Sequence, residues 1–267
     1  MKLSRLWNSA TQVLVATALV LAIAYFDLGD VLPFSRIWIR LIETTLSAGI
    51  SLFFIKRYAP GAMQLVRLPR IHPRFVIGLF FTIFMCATLL GGVTVHEKNL
   101  WGWLAGIFAA LCVGITEEFF DRGFLLGVFS RFGIWRAALF SALFFGLLHF
   151  INFIAGQGLG PTTGQVISAT GFGFFAAGIT LFSGSIYPAV IIHAAVDLPI
   201  MLSNRTHYEK TLVKGELLGS MQLALSWGLL GVLFIVGTYQ FHKLEPLLIK
   251  WKLVEETKSA TDNDPSI

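Results

Sequence analysis

Glu117-Glu118-Phe119-Phe120-Asp121-Arg122 places four charges in six positions of an otherwise apolar stretch. Further on, Phe145 and His149, then His193 and Asp197, interrupt equally apolar surroundings, and residues 137–196 run for 60 positions without an Asp, Glu, Lys or Arg. An ionisable side chain in hydrocarbon costs roughly 2.5–3.5 kcal/mol on insertion scales, so the four charges, if unpaired, would cost on the order of 10 kcal/mol. Such groups persist where they have partners or chemistry. Carboxylates and imidazoles are the side chains that take and return protons near neutral pH. The chemistries they offer together are water activation for hydrolysis, metal ligation and proton relay.

Helical spacing sorts these residues. Glu118 and Arg122 stand i,i+4 with the acid first, the better order for a pair, and read as a structural clamp. Glu117 points about 100° away from Glu118 and has no cation on its own face, which makes it the better proton-transfer carboxylate. Asp121 lies i,i+4 from Glu117 and would repel it if both faced one site. His193 and Asp197 are also i,i+4 and can touch. Phe145, one turn before His149, can wall one side of that ring. Arg40 and Glu43 read as an interfacial pair. His72, His96, His207 and His242 fall in loops or at span ends, where solvation suffices.

The elements that must hold these residues are membrane helices. The 267-residue chain is 55% hydrophobic and 13% charged, with a mean hydropathy of +0.74, against roughly 25% charged residues in a soluble domain. A soluble enzyme, a disordered chain and a secreted disulfide scaffold are excluded, and without strand-like alternation so is a barrel. The expected fold is all-α: a polytopic bundle of about eight transmembrane helices near 8–27, 37–56, 75–95, 100–129, 136–154, 165–182, 185–202 and 217–241. In outline, residues 1–99 supply N-terminal membrane helices and 100–202 the core that carries the chemistry. Residues 203–267 supply a last span, an interfacial helix over Lys243–Glu256 and a disordered tail after Lys258. Ala22-Ile23-Ala24 resembles a signal-peptide cleavage site, yet the first run is long enough to span, and an uncleaved helix is expected.

Net charge is +5 and the pI about 9.4. The basic residues sit in short loops rather than in a patch interleaved with aromatics, so they read as orientation signals and not as a nucleic-acid surface. With the N-terminus inside, thirteen Lys and Arg fall on inner segments and six on outer ones. Both termini are therefore expected in the cytoplasm of a bacterial inner membrane. The basic Lys56–Arg74 segment lies on the inner side, within reach of anionic headgroups or an acidic substrate. Trp7, Trp38, Trp101, Trp103 and Trp135 mark span ends. Gly102/Gly106 and Gly123/Gly127 permit close helix approach. Cys86 and Cys112 read as packing residues, and 156–161 as a flexible outer loop.

If the inner ends of three helices fall near residues 128, 137 and 186, then at about 1.5 Å per residue Glu117, His149 and Asp197 lie roughly 17–18 Å deep, and His193 roughly 11 Å.

The ordered set Glu117-Glu118-x-x-x-Arg122, Phe145-x-x-x-His149 and His193-x-x-x-Asp197 resembles the signature of the CPBP family, the CAAX prenyl endopeptidases and bacteriocin-processing or immunity proteins. The segment Gly178–His193 resembles the family's stretch before its last histidine, and the resemblance covers residues 100–202. It implies an intramembrane endopeptidase acting on a membrane-associated or lipidated peptide or protein. On that resemblance the catalytic glutamate is Glu117 and the water-activating histidine is His149. His193 and Asp197 stabilise the oxyanion, while Glu118 and Arg122 fall on supporting positions. Asp197 departs from the usual Asn. An ionised Asp cannot donate to an oxyanion, so Asp197 must be protonated, must orient His193, or must bind something else.

Two routes to peptide hydrolysis stay open. In the metal-free route Glu117 and His149 activate a water and His193 donates to the oxyanion. In the other, Glu117, His149 and His193 hold a zinc ion, although the chain lacks HExxH. The metal-free route is favoured, with no cofactor. The rival readings are a non-catalytic membrane scaffold or immunity protein of the same fold, and a proton-coupled transporter. The expected partners are membrane lipids and the peptide or lipidated substrate, with oligomeric state open.

Overall fold

The computed structural model describes residues 2–25, 35–69, 71–91, 99–202 and 217–250, and every regular element in them is helical. In chain order these are α1 (Lys2–Tyr25), α2 (Arg36–Tyr58), a 3₁₀ turn (Pro60–Ala62), α3 (Met63–Val66), α4 (Pro73–Gly91) and α5 (Leu100–Glu118). Beyond α5 a π-helical segment (Phe119–Leu125), α6 (Leu126–Phe129) and a 3₁₀ turn (Ser130–Phe132) continue the same rod. Then follow α7 (Ile134–Leu148), α8 (Ile151–Ile154), α9 (Leu159–Ser183), α10 (Tyr187–Leu202) and α11 (Leu217–Lys250). Six helical stretches among the described residues are long and apolar enough to cross a membrane, and two more apolar helices, Thr11–Ile23 and Tyr187–Leu202, are shorter. Large apolar side chains such as Phe53, Phe80, Leu225 and Leu233 point outward. In water that surface would be a liability; in a bilayer it is the solvated face. The protein is a multi-pass membrane protein.

α9 is the central helix, with 67% of its spanning window buried, and α4, α7, α10 and α11 pack around it. Small residues set how closely. A Cβ on Gly178 would stand 2.7 Å from the Gly231 carbonyl oxygen of α11, and one on Gly171 would overlap the Ala224 backbone. The same device brings α5 to α10: a Cβ on Gly114 would lie 2.9 Å from the Val190 carbonyl oxygen and 3.7 Å from the His193 Cβ. Gly114 precedes Glu118 by one turn, so its missing side chain lets the acid pair reach His193. Gly123 and Gly127 pack in the same way against Ile55 and Val66 of α2 and α3, and against Ala59 and Ala62. α1 joins through Val13, Ala16 and Val20, buried with Phe54, Ile55, Phe120 and Phe124. Gly184 ends α9 in the left-handed conformation at φ +70°, its N–H on the Thr180 carbonyl at 2.9 Å, and this turn directs the chain straight back into α10.

Several expected boundaries move. α9 begins at Leu159 rather than near 165, so only 156–158 remain of the expected 156–161 loop. Pro161 lies in the first turn, where a missing N–H costs no intrahelical bond. The expected 136–154 helix breaks after Leu148, which puts His149 at the C-terminal cap of α7. The last helix runs unbroken to Lys250 instead of ending at 241 before a separate interfacial helix; the rest of that segment, and the tail, lie outside the described residues. His96 and His207 also lie outside them. Cys86 and Cys112 are free thiols, and Arg40 pairs with Glu43 at 3.2 Å.

The glycine contacts give a direct check. Gly178→Val is expected to cost about 1–3 kcal/mol through overpacking of α9 on α11, read as a lowered melting temperature in detergent. Gly49→Ala, whose Cβ meets nothing within 4 Å, is expected to be neutral or slightly stabilising.

Candidate active site

The rod from Leu100 to Phe132 is not a plain α-helix, as the 100–129 pattern led one to expect. At Phe119–Leu125 its hydrogen bonds step to i+5, with the Leu126 N–H on the Asp121 carbonyl. Such π segments insert a residue into the turn and are frequent at functional sites. Ser141 of α7 also donates to the Asp121 carbonyl, at 2.9 Å, and so ties the widened turn to its neighbour. No feature of residue type in Phe-Phe-Asp-Arg-Gly-Phe-Leu announces this change of pitch.

Arg122 is fully buried. Its Nε lies 3.1 Å from Glu118 Oε2, and its Nη1 lies 3.8 Å from Asp121 Oδ2. The Nε–H does not point along the first line, so Nε and Oε2 form a charge contact and not a hydrogen bond. Nη2 donates to the Gly173 carbonyl of α9 at 3.3 Å, and the guanidinium carbon sits 4.6 Å from the Phe145 ring centroid. One cation thus touches two carboxylates, a carbonyl and a π-face, and this spreads the cost of burying it.

The second oxygen of Glu118 holds His193: Nδ1 and Oε1 are 2.7 Å apart. A carboxylate facing Arg122 is an acceptor, so Nδ1 carries the proton. Nε2 then faces the cavity, 3.6 Å from Glu117 Oε2 and 3.5 Å from Asp197 Oδ2. With a neutral ring and two ionised acids, all three atoms would be acceptors. The cluster therefore needs at least one proton among Nε2, Glu117 and Asp197. Phe145 and Phe172 flank the ring at centroid distances of 5.8 and 5.1 Å and confine it.

His149 is held differently. Its Nδ1 is 2.9 Å from the Phe145 carbonyl oxygen one turn back. A carbonyl only accepts, so Nδ1–H is the donor and the Nε2 lone pair is left for the cavity. The Phe145 ring packs edge-on against His149 at 4.9 Å.

The two acids at 117 and 118 have separate environments. The Glu118 side chain is 0% exposed and that of Glu117 is 36% exposed. Glu117, Asp121, Phe145, His149, His193 and Asp197 all line one cavity of about 270 Å³, together with Thr116, Asn152 and Gln165. Its far wall is α1, through Thr17, Val20 and Leu21. Sequence reasoning missed Thr17, Asn152 and Gln165. The two amides are polar interruptions of an uncharged run, which was the available signal; Thr17 is a lone hydroxyl in the apolar run of α1. Reasoning from helix ends also put His193 one turn shallower than Glu117, whereas the two touch. The N-terminal end of α10 is covered rather than at a surface: the Ile186 N–H bonds the Leu65 carbonyl at 3.0 Å and the Tyr187 hydroxyl bonds the Val66 carbonyl at 3.2 Å. With α3 beneath it, α10 starts deeper than its first residue suggests.

The zinc alternative asks Glu117, His149 and His193 to converge. Each has a donor atom turned to the cavity, where His193 Nε2 and Glu117 Oε2 are 3.6 Å apart.

Removing one partner of the buried cluster leaves an uncompensated charge. Arg122→Met is expected to destabilise by about 3–5 kcal/mol, read as loss of a cooperative melt in detergent. Glu118→Met in the same background is expected to restore part of that loss, because one orphaned carboxylate is gone.

No curated protein and no solved structure matches the chain at a significant level. A family model does match, over residues 99–199: the type II CAAX prenyl endopeptidase Rce1-like family. The match begins at Asn99, whose side chain caps α5 by accepting from the Trp101 N–H at 3.1 Å, and ends at Pro199 inside α10. It takes in every cavity-lining residue except the three from α1. Over residues 99–199, the chain is similar to the type II CAAX prenyl endopeptidase Rce1-like family.

Proposed function

We propose that the protein is an intramembrane endopeptidase that hydrolyses a peptide bond of a membrane-associated or lipidated substrate, with Glu117 and His149 activating the water. The family match supports the reaction class. One observation carries the assignment within it: a half-exposed carboxylate and an imidazole with a free Nε2 share a cavity with a second imidazole anchored from behind.

Peptide hydrolysis needs an activated water, a donor for the oxyanion and a proton for the departing amine. Glu117 takes a proton from a water whose other hydrogen lies on His149 Nε2, and the oxygen attacks the carbonyl carbon. His193 in its doubly protonated form donates Nε2–H to the developing oxyanion. The imidazolium charge is balanced by Glu118 behind it and Asp197 beside it. When the C–N bond breaks, Glu117 returns its proton to the amine. Asp197 acts by orienting His193, a role open to Asp as well as to Asn, and when ionised it also balances the imidazolium charge. No step requires a metal. Arg122 and Glu118 are positioning residues, Asp121 shares the Arg122 charge, and Phe145 walls both rings.

We further propose that both termini face the cytoplasm of a bacterial inner membrane, on the thirteen-to-six bias of Lys and Arg toward the inner segments. The basic segment between Lys56 and Arg74 then meets the anionic leaflet.

The test is cleavage of a mixed peptide and lipopeptide library by the purified protein in nanodiscs, with products read by mass spectrometry. Glu117→Gln and His149→Ala are each expected to lower the rate by roughly 10²–10⁴, with melting temperatures close to wild type because neither side chain belongs to the Arg122 cluster. Activity is expected to survive exhaustive chelation. Loss on chelation with recovery on added zinc would replace the metal-free route by the metal one. Cleavage that persists in Glu117→Gln, or that never occurs, would overturn the peptidase assignment.

A further inference from the structure

The cavity holds a polar pair that the water-activating chemistry leaves unused. Asn152 of α8 and Gln165 of α9 both line it, and Asn152 Nδ2 donates to Gln165 Oε1 at 2.9 Å. We propose that the Asn152–Gln165 pair is a substrate-binding clamp that hydrogen-bonds one peptide unit of the substrate backbone beside the scissile bond. The inference rests on the peptidase reading above.

The argument is an inventory of donors and acceptors. A primary amide has two N–H donors and one carbonyl oxygen with two lone pairs. The bond between the two side chains uses one N–H and one lone pair. What remains on the pair is three N–H donors and two carbonyl oxygens, one of them wholly unengaged. Turning both amides over exchanges their roles and leaves the same set. Neither side chain is closed off by protein, since both face the cavity. The edge they present carries donors and acceptors side by side, as an extended strand does, and is complementary to a peptide unit's C=O and N–H.

The pair is also held in place. The Asn152 N–H bonds the His149 carbonyl at 3.1 Å, and the Asn152 carbonyl accepts from the Gln157 N–H at 2.9 Å. Asn152 is therefore fixed in the same reversal that presents His149, three residues earlier. Gln165 stands in the second turn of α9, whose N-terminal half packs on α7 through Val166 and Thr170 against Gly146. A substrate backbone held here would be registered against the His149 water by rigid covalent and hydrogen-bonded links. Recognition through main-chain bonds is tolerant of side chains, so the clamp would set the position of the cut more than its sequence.

The probe is the most efficiently cut library peptide, remade as a series in which each peptide N–H within four bonds of the cut is methylated in turn. Wild-type protein is expected to lose about tenfold in kcat/KM at one position, the worth of one or two neutral hydrogen bonds, chiefly through KM. Gln165→Leu is expected to lose a similar factor on the parent peptide and to be indifferent to methylation at that position. Gln165→Glu keeps an acceptor for Asn152 Nδ2 and so the tie between α8 and α9, but removes the donor. It is expected to lose the donor's share of the rate on every peptide, to keep its sensitivity to methylation because its oxygens still accept the substrate N–H, and to melt like wild type. If Gln165→Leu instead loses activity equally across the whole series, or both variants only melt earlier, the pair is a structural tie and the clamp is wrong. A library with no Glu117-dependent cut overturns the peptidase reading and the clamp with it. Glu117-dependent cutting whose methylation pattern is unchanged by Gln165→Leu overturns the clamp alone.

Discussion

The guanidinium of Arg122 is the constraint on which the site depends. A fully buried cation in the middle of an apolar bundle is tolerable only if its charge is matched and its donors are aimed. It is met by Glu118, Asp121, the Gly173 carbonyl and the Phe145 face. Those contacts span α5, the π segment, α9 and α7, so one side chain fixes four elements. They also fix Glu118 as an acceptor whose other oxygen reaches α10 and holds His193. A chain of charge from Arg122 through Glu118 to His193 thus sets the proton on Nδ1 and turns Nε2 toward Glu117 and Asp197.

The two histidines are held by different partners, which on the proposed mechanism suits them to different work. A backbone carbonyl fixes His149 with a lone pair on the cavity side, which suits a group that must receive a hydrogen bond from water. A carboxylate fixes His193, which suits a group that must bear positive charge while it donates. The adjacent acids at 117 and 118 divide in the same way. One is sealed into the ion cluster and the other is left partly open, although the sequence presents them as a repeated residue.

Backbone proximity makes this geometry possible. Gly114 lets α5 lie against Val190 and His193, and Gly171 and Gly178 let α9 lie against α11. In a bilayer the hydrophobic effect does not drive helices together, so packing of small residues and interhelical polar contacts carry the association. Here the two act at one place, since Gly114 stands a turn from Glu118. α1 is different in kind. It closes the cavity with Thr17, Val20 and Leu21, yet it lies outside the 99–199 family match.

The sequence by itself determined the all-helical membrane fold, because long uncharged runs admit no other backbone solution in lipid. It determined the Glu118–Arg122 contact, because i,i+4 neighbours on one helix meet whatever surrounds them. For the same reason it set Phe145 beside His149 and His193 beside Asp197. Everything that joins one helix to another was decided by the tertiary structure. Helical spacing carries no information on depth or crossing, so spacing alone leaves His193 a turn from Glu117, and the covered N-terminal end of α10 brings them together. The π turn at 119–125 is tied by the Ser141 hydroxyl of α7, which donates to the Asp121 carbonyl, and the Asn152–Gln165 pair depends on a reversal that puts α8 against α9. The tautomer of each histidine depends on a partner elsewhere: a carbonyl at the end of its own helix for His149, and a carboxylate 75 residues away for His193. Local pattern fixes which residues share a face; only packing fixes which faces share a cavity.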